Sequence, residues 1–298
     1  MLMQAVLAQV NLVPNGSFEE YDTCPTASGQ IYYASDWFSP TQGSPDYFNE
    51  CTVLADFWGT PNNIRGSQQS FGKAYAYIGY NLNVQPTGYS EYISIKLISP
   101  LEINKKYCIS FYLSLAEVSK VYTSSIGVLF SNTIPNYNFY TIIPTSPQIA
   151  NSPSNYFNDK VNWMQFKTEY IATGDENYIT IGFFENPTFQ YQFISTTDTS
   201  NAILGYYIDG VYVGTCETII PNVFTPNGDQ LNETFKIENL LPNSRLTVYS
   251  RWGNIVYSNP NYANNWDGEM NSDGVYYYIL SLPSGETKKG TVTILRGE

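Results

Sequence analysis

The chain contains no histidine. That excludes Ser-His-Asp and Cys-His nucleophilic triads outright. Charge is scarce as well: Asp, Glu, Lys and Arg make up 13% of 298 residues, about half the usual share for a soluble protein. The 14 basic residues face 26 acidic ones, a net charge of −12. No basic stripe is present to track nucleic-acid phosphates or to draw the chain to an anionic membrane. No run approaches the roughly 20 apolar residues of a membrane-spanning helix. Cysteine is limited to Cys24, Cys51, Cys108 and Cys216. None forms a C-x-x-C pair, so a zinc or thioredoxin-like site is not expected. G-x-S-x-G, Walker and Rossmann fingerprints are also missing.

What is present points to β structure and to export. Hydrophobic residues reach 43%, and tyrosine alone supplies 27. Tyrosine packs an apolar ring and leaves its hydroxyl wet, which suits strand faces and sugar-binding surfaces alike. Four dispersed cysteines fit two structural disulfides in an oxidising compartment. Local pairing gives Cys24–Cys51 and Cys108–Cys216, although four cysteines allow three connectivities. Residues 1–8 end in Ala5-Val6-Leu7-Ala8, followed by Gln9. This small-residue pattern resembles the tail of a secretory signal.

Helical periodicity is almost absent, while period-two alternation is widespread. In KKYCISFYLSLAEV, Tyr107, Ile109, Phe111, Leu113 and Leu115 share one face, and Cys108, Ser110, Tyr112 and Ser114 the other. ENYITIGFFE (Glu176–Glu185) and GYYIDGVYVGTC (Gly205–Cys216) read as further strands, and the polar, Pro-rich stretch from Ile143 to Asp159 as loop. Strands with turn clusters between them indicate a sandwich or jelly roll. After Cys216 the strands shorten and the turns tighten. SRLTVYSRWGNIVYS reads as a hairpin turned at Trp252-Gly253-Asn254, and a second hairpin pairs Val275–Leu282 with Gly290–Arg296 around PSGETK. The expected organisation is all-β: a jelly-roll β-sandwich over residues 9–217, then a small Ig-like or Greek-key β-sandwich over 218–298.

Candidate chemistry is sparse. Asp36, Asp46, Asp56 and Glu117 are the acids that a two-carboxylate glycosidase would draw on, but their spacing singles out no pair. Trp37, Tyr47, Phe48 and Trp58 lie in loop-rich sequence beside Asp36, Asp46 and Asn62. Flat rings and polar side chains are what a sugar needs, so Trp37, Tyr47, Trp58 and Asp46 are expected ligand-binding residues; the alternative is that these rings fill the core. Trp163 reads as core. In FTPNGDQLNETF, Asn227, Asp229, Asn232 and Glu233 resemble alternating oxygen ligands, yet tight turns want the same residues.

IPNVFTPNGDQLNETF, VYSRWGNIVYS, WDG, DGVYYYIL and GTVTILRG follow one another over residues 220–297. Together they resemble the gliding-motility-associated C-terminal domain, the type B sorting domain of the type IX secretion system of Bacteroidetes. The matching residues are Pro226, Asn227, Gly228, Asp229, Trp252, Gly253, Trp266, Asp267 and Gly268, with Trp252 and Trp266 expected as core or corner residues. Such loops often read N-G-D-G-x-N-D; here Gln230 and Glu233 depart from that pattern. The resemblance implies export through the type IX translocon and attachment to an outer-membrane β-barrel partner, a PorV-like shuttle or a SprF/PorP-like protein. It also lets the last strand, TVTILRGE, add to a partner's sheet edge.

NLVPNGSFEEYDTCP, DWFSPTQGSPDYFNEC, GKAYAYIG and YYIDGVYV, over residues 11–216, are similar to galactose-binding-like jelly rolls, the fold of many carbohydrate-binding modules. That resemblance implies a structural Ca²⁺ held by Glu19 or Glu20 and Asp209; calcium takes six to eight oxygens, and the alternating oxygens of the late loop make Asp229 a separate metal candidate. The resulting expectation is a non-enzymatic surface protein that binds a glycan or a surface adhesin. A hydrolase with an appended sorting domain and a structural subunit of a secretion or motility assembly are the alternatives.

Overall fold

The computed structural model describes residues 11–83, 88–185, 188–195, 197, 202–216, 218–229, 231–238, 240, 244–268, 270–282 and 287–296. The signal-like stretch and most of the PSGETK turn lie outside them. The chain divides into two compact units, Met1–Thr215 and Cys216–Glu298.

The first unit opens with β1 (Trp37–Phe38), β2 (Asp46–Asn49), the short helix α1 (Ala55–Trp58), β3 (Asn62–Asn63), β4 (Gly66–Ser67), β5 (Ala74–Asn81), β6 (Tyr89–Ser90) and β7 (Tyr92–Lys96). It continues with β8 (Lys106–Leu115), β9 (Val121–Thr123), β10 (Ile126–Ser131), β11 (Ile149–Ala150), β12 (Met164–Ile171), β13 (Tyr178–Phe183), β14 (Tyr191–Phe193) and β15 (Ile203–Thr215). Two antiparallel sheets result, in the orders β1-β7-β13-β10-β11 and β12-β8-β15-β5-β2. Each presents one set of alternating side chains to a shared core. Ile93 and Ile95, Val128 and Phe130, and Ile179 and Ile181 come from the first sheet; Ile109, Phe111 and Leu113, and Tyr206 and Ile208, come from the second. Phe111 stacks on Phe166 at 4.5 Å across the β8–β12 pair. The β8 alternation read from the sequence is the inner face of its sheet.

The second sheet is apolar on its outer face too, where β2, β5 and β15 set out Phe48, Tyr75, Tyr77 and Tyr207. Such a face must be covered. Residues 50–73 supply the cover. Trp58 of α1 stacks on Phe48 at 6.0 Å. The β3–β4 ribbon brings Asn63 in, to donate to the Tyr75 hydroxyl (2.9 Å) and accept from the Tyr207 hydroxyl (3.1 Å). Gln68 donates to the Ser114 hydroxyl of β8 at 2.5 Å. A disulfide between Cys24 and Cys51, Cα atoms 5.7 Å apart, ties the start of the cover to the preceding loop. Cys108 and Cys216 are also disulfide-bonded, and no described cysteine is free.

The second unit carries β16 (Val223–Phe224), β17 (Arg245–Tyr249), β18 (Ile255–Asn259), β19 (Gly274–Ser281) and β20 (Thr287–Ile294) in one sheet ordered β16-β20-β19-β17-β18. Trp266, Phe224, Phe235, Leu246, Val248 and Val292 form its core. The last strand is not the free edge that the sequence reading offered to a partner. β20 pairs with β19 along its whole length and with β16 through Thr293 and Ile294. The outer strands are β16 and β18.

Replacing Phe111 with alanine is expected to cost about 3–5 kcal/mol, seen as a lower urea midpoint for loss of the first unit's near-UV signal. A loss below about 1 kcal/mol would show that the Phe111–Phe166 stack is not central to that core.

Candidate functional site

The four residues expected to bind sugar do not present a surface. Trp37 is 2% exposed, stacks on Phe18 at 4.7 Å and donates its indole N–H to the Asn15 carbonyl. Tyr47 is fully buried, with its hydroxyl on the Phe18 carbonyl at 2.8 Å. Trp58 lies in the cover, and Asp46 is buried beneath it. The correction has a physical reason: in a small sandwich with a second covered face, large rings are the material that fills both layers.

A cluster of three contacting rings reaches the surface where the cover ends. Phe71, 56% exposed, has its ring 4.8 Å from Tyr112 and 5.3 Å from Trp163. Trp163, read from sequence as core, is half-buried and donates its indole N–H to the Gln69 carbonyl at 2.7 Å. Three features fix this ridge. Asp159 accepts the Val161 and Asn162 amides at 2.7 and 2.9 Å and locks the turn before Trp163. Those donors, Asn162 first, hold the Asp159 carboxyl below its ordinary range. The Phe71 amide is held at 3.1 Å by Asp209, which also accepts the Gly210 amide. Gly210 sits at φ +61° in a bulge between Asp209 and Tyr212, where a Cβ would lie 3.1 Å from the Tyr112 ring. Bulges of this kind re-aim side chains beside functional sites. Phe71 was missed in the sequence because it belongs to no alternating strand. Its signal is a lone aromatic residue in an otherwise polar stretch, QQSFGK.

Two acids beneath the cover are perturbed. Asp46 accepts from the Gly29 amide and pairs with Arg65 at 2.9 Å; burial raises its pKa, opposed by the guanidinium. Glu91 accepts the Gly79 amide at 2.6 Å and hydroxyls of Ser44 and Tyr89 at 3.2 Å. Burial, then the Asp46 charge, pushes it up to about 7. The other candidate acids, Asp36, Asp56 and Glu117, are exposed.

Of the residues expected to hold calcium in the first unit, Glu19 and Asp209 lie near enough for the Glu19 charge to add to the burial that raises the Asp209 pKa, and both already accept backbone amides. Glu19 accepts the Lys73 and Ala74 amides at 2.8 and 3.1 Å. Glu20 is exposed, Asp209 is committed to Phe71 and Gly210, and Asp229 belongs to the other unit. Among the described residues, carboxylates do not gather in threes. In the late loop, Asn227 accepts the Asp229 amide (3.1 Å) and Asp229 the Leu231 amide (2.7 Å), which is turn chemistry. Pro226 and Gly228 complete that turn, with Gly228 at φ +85°.

Trp266 is core, 5.3 Å from Phe224. Beyond it, Asp267 leads to Gly268, whose carbonyl accepts from Arg296 at 2.8 Å. Trp252 is not a core or corner residue. It is 81% exposed at the β17–β18 tip, where Gly253 adopts φ +80°. A cleft of about 470 Å³ opens beside it, lined by Arg251, Asp273, Val275 and Tyr277.

Residues 218–294 match the family described as the CHU_C Type IX secretion signal domain. The chain is therefore a secreted, cell-surface protein. No helix among the described residues is long and apolar enough to cross a membrane. No curated protein matches the chain. Among solved structures, it is similar to the CBM22-1 xylan-binding domain of Paenibacillus barcinonensis Xyn10C: 13% identity, TM-score 0.33, covering 70% of this chain and 95% of that one. It is similar also to the adhesin domain of Epf from Streptococcus pyogenes: 10% identity, TM-score 0.32, covering 97% and 98%. A third is the K1 cleaved adhesin domain of Lys-gingipain from Porphyromonas gingivalis: 12% identity, TM-score 0.28, covering 60% and 96%. At such scores these likenesses add nothing to the architecture read from strand pairing.

Glu91 and Asp209, both pushed up to about 7 chiefly by burial, set a pH dependence. Their folded pKa values lie above the ordinary 4.5 and 3.8. The stability they contribute is therefore complete below the ordinary values and is lost as pH rises through about 7. The urea midpoint of the first unit should fall between pH 5 and pH 8; Glu91→Gln should reduce the fall, and Glu91→Gln with Asp209→Asn should nearly remove it. A wild-type midpoint that rises over this interval would refute the assignment.

Proposed function

We propose that this secreted, cell-surface protein is a non-enzymatic binding component that holds a glycan on the Phe71–Tyr112–Trp163 ridge. Its second unit directs type IX export and keeps the chain at the surface through an outer-membrane β-barrel partner, in adhesion or gliding. The observation that carries the binding reading is the ridge: one exposed ring, Phe71, packs against two half-buried ones, Tyr112 and Trp163, in a single cluster whose turn and bulge are held by hydrogen bonds. The negative faces of such rings attract the polarised C–H groups of a pyranose. Side-chain amides stand beside them, and the Gln165 amide donates to the Tyr112 hydroxyl at 3.3 Å. Few convergent polar groups around an apolar surface is the usual composition of a ligand site.

The test is a glycan array with the full chain, repeated with Phe71→Ala and Trp163→Ala. Each variant should weaken captured glycans by about 2 kcal/mol, roughly thirtyfold, with the circular dichroism unchanged. Unchanged binding in both variants, or sugar release from the bound glycans, would sink the reading.

The exposed Trp252 cleft supports recognition of the second unit by its export partners. Trp266→Ala should cost about 3–5 kcal/mol, whereas Trp252→Ala should leave stability within about 0.5 kcal/mol. Trp252→Ala should nonetheless lower the yield of a barrel partner co-purified from outer membranes. Equal co-purification of wild type and Trp252→Ala would remove the cleft from recognition.

A further inference from the structure

We propose that the aromatic ridge continues into a groove along the β12 edge that selects glycan chains bearing an anionic group, with Lys167 as the residue that reads the charge. The proposal rests on the glycan-binding reading of the ridge. Trp163 immediately precedes β12, and Gln165 and Lys167 follow it on the same outward face by strand alternation; both are exposed. Successive same-face residues are about 6.4–6.8 Å apart, so both side chains can address one extended ligand. Gln165 belongs to both regions. It donates to Tyr112 of the ridge and lines a groove of about 310 Å³.

The far wall of the groove is polar and fixed in advance. Asn151 donates to the Asn155 carbonyl at 2.6 Å and to the Ser124 carbonyl at 3.0 Å, and the Asn155 amide donates back to Asn151 at 3.0 Å. Ser152 and Thr168 add hydroxyls. Amides and hydroxyls on a settled frame fit the hydroxyls of a sugar chain without a large ordering cost.

Charge gives the selectivity. Lys167 lines the groove and, among the described residues, makes no ion pair within 4 Å, whereas Lys73, Lys105, Lys106 and Arg65 each hold a carboxylate. On the neighbouring strand Lys106 holds Glu169 at 2.7 Å, so the acid nearest along β12 is already neutralised. An ammonium is thus left facing the groove of an otherwise acidic protein. A lysine on an edge strand also deters edge-to-edge pairing, and the experiment separates that role from charge reading.

Binding of the full chain is measured to three probes: an oligogalacturonate, its fully methyl-esterified form and a sulfated galactan. Wild type should favour the uronate over its neutral ester by about fivefold, the upper range for one exposed ion pair. Added salt should erase that preference by screening. Lys167→Gln should bind uronate and ester equally, and Lys167→Arg should keep the preference. Tighter binding of the sulfated chain than of the uronate, equally dependent on Lys167, would identify sulfate as the preferred anion. Equal binding of uronate and ester by wild type would overturn the proposal, as would a preference that survives in Lys167→Gln or no binding to any probe. Gain of oligomers in Lys167→Gln with its preference intact would assign the lysine to edge protection instead. If Phe71→Ala and Trp163→Ala bind every captured glycan as wild type does, the ridge reading itself fails, whatever Lys167 does.

Discussion

The first unit depends on one constraint: its second sheet carries large apolar rings on both faces. The inner set meets the opposing sheet. The outer set, Phe48, Tyr75, Tyr77 and Tyr207, has no third sheet to meet and is sealed by an irregular segment of chain. That segment has only the two-residue β3–β4 ribbon for a ladder, so side-chain hydrogen bonds do most of the tying. Asn63 serves two tyrosine hydroxyls at once, and Gln68 serves Ser114. Buried polar atoms are satisfied there because leaving any of them unpaired costs about 1–3 kcal/mol. Where the cover stops, the outer face surfaces as Phe71, Tyr112 and Trp163. The candidate site is the seam between the covered and the uncovered sheet.

Strands were legible in the sequence because a sheet with one buried face writes its period directly. Tyr107, Ile109, Phe111, Leu113 and Leu115 all face the core of β8. The tight hairpin at Trp252-Gly253-Asn254 was legible because only residues tolerant of positive φ fit its tip. The site was not. Trp37, Tyr47 and Trp58 lie in turn-rich sequence, and such sequence suggested exposure; yet Trp37 and Tyr47 sit on short strands that face the inner core, and Trp58 lies in the segment that folds back over the outer face. Trp163 and Trp252 err in the opposite direction. Trp163 stands beside an edge strand, half-buried against the rim of the outer aromatic cluster, and Trp252 at a hairpin tip with no layer over it. Local pattern records alternation but not which layers exist to cover it.

The second unit shows a comparable division of labour. Its sheet places β20 between β16 and β19, so residues far apart in the chain share ladder hydrogen bonds. Trp266 and its aromatic neighbours hold the interior, while Trp252, Val275 and Tyr277 are left outside. Within one unit, one motif tryptophan serves stability and the other stands exposed.

The Cys24–Cys51 bond encloses a separation of 27 residues and fastens one foot of the cover. By loop-closure entropy such a bond is worth about 3.5 kcal/mol. In a reducing compartment that contribution is missing, and the cover is held by its side-chain hydrogen bonds and ring contacts alone. The ridge hangs from the end of that cover. Oxidation of this one pair therefore adds to the stability of the cover and, through it, of the Phe71–Tyr112–Trp163 seam.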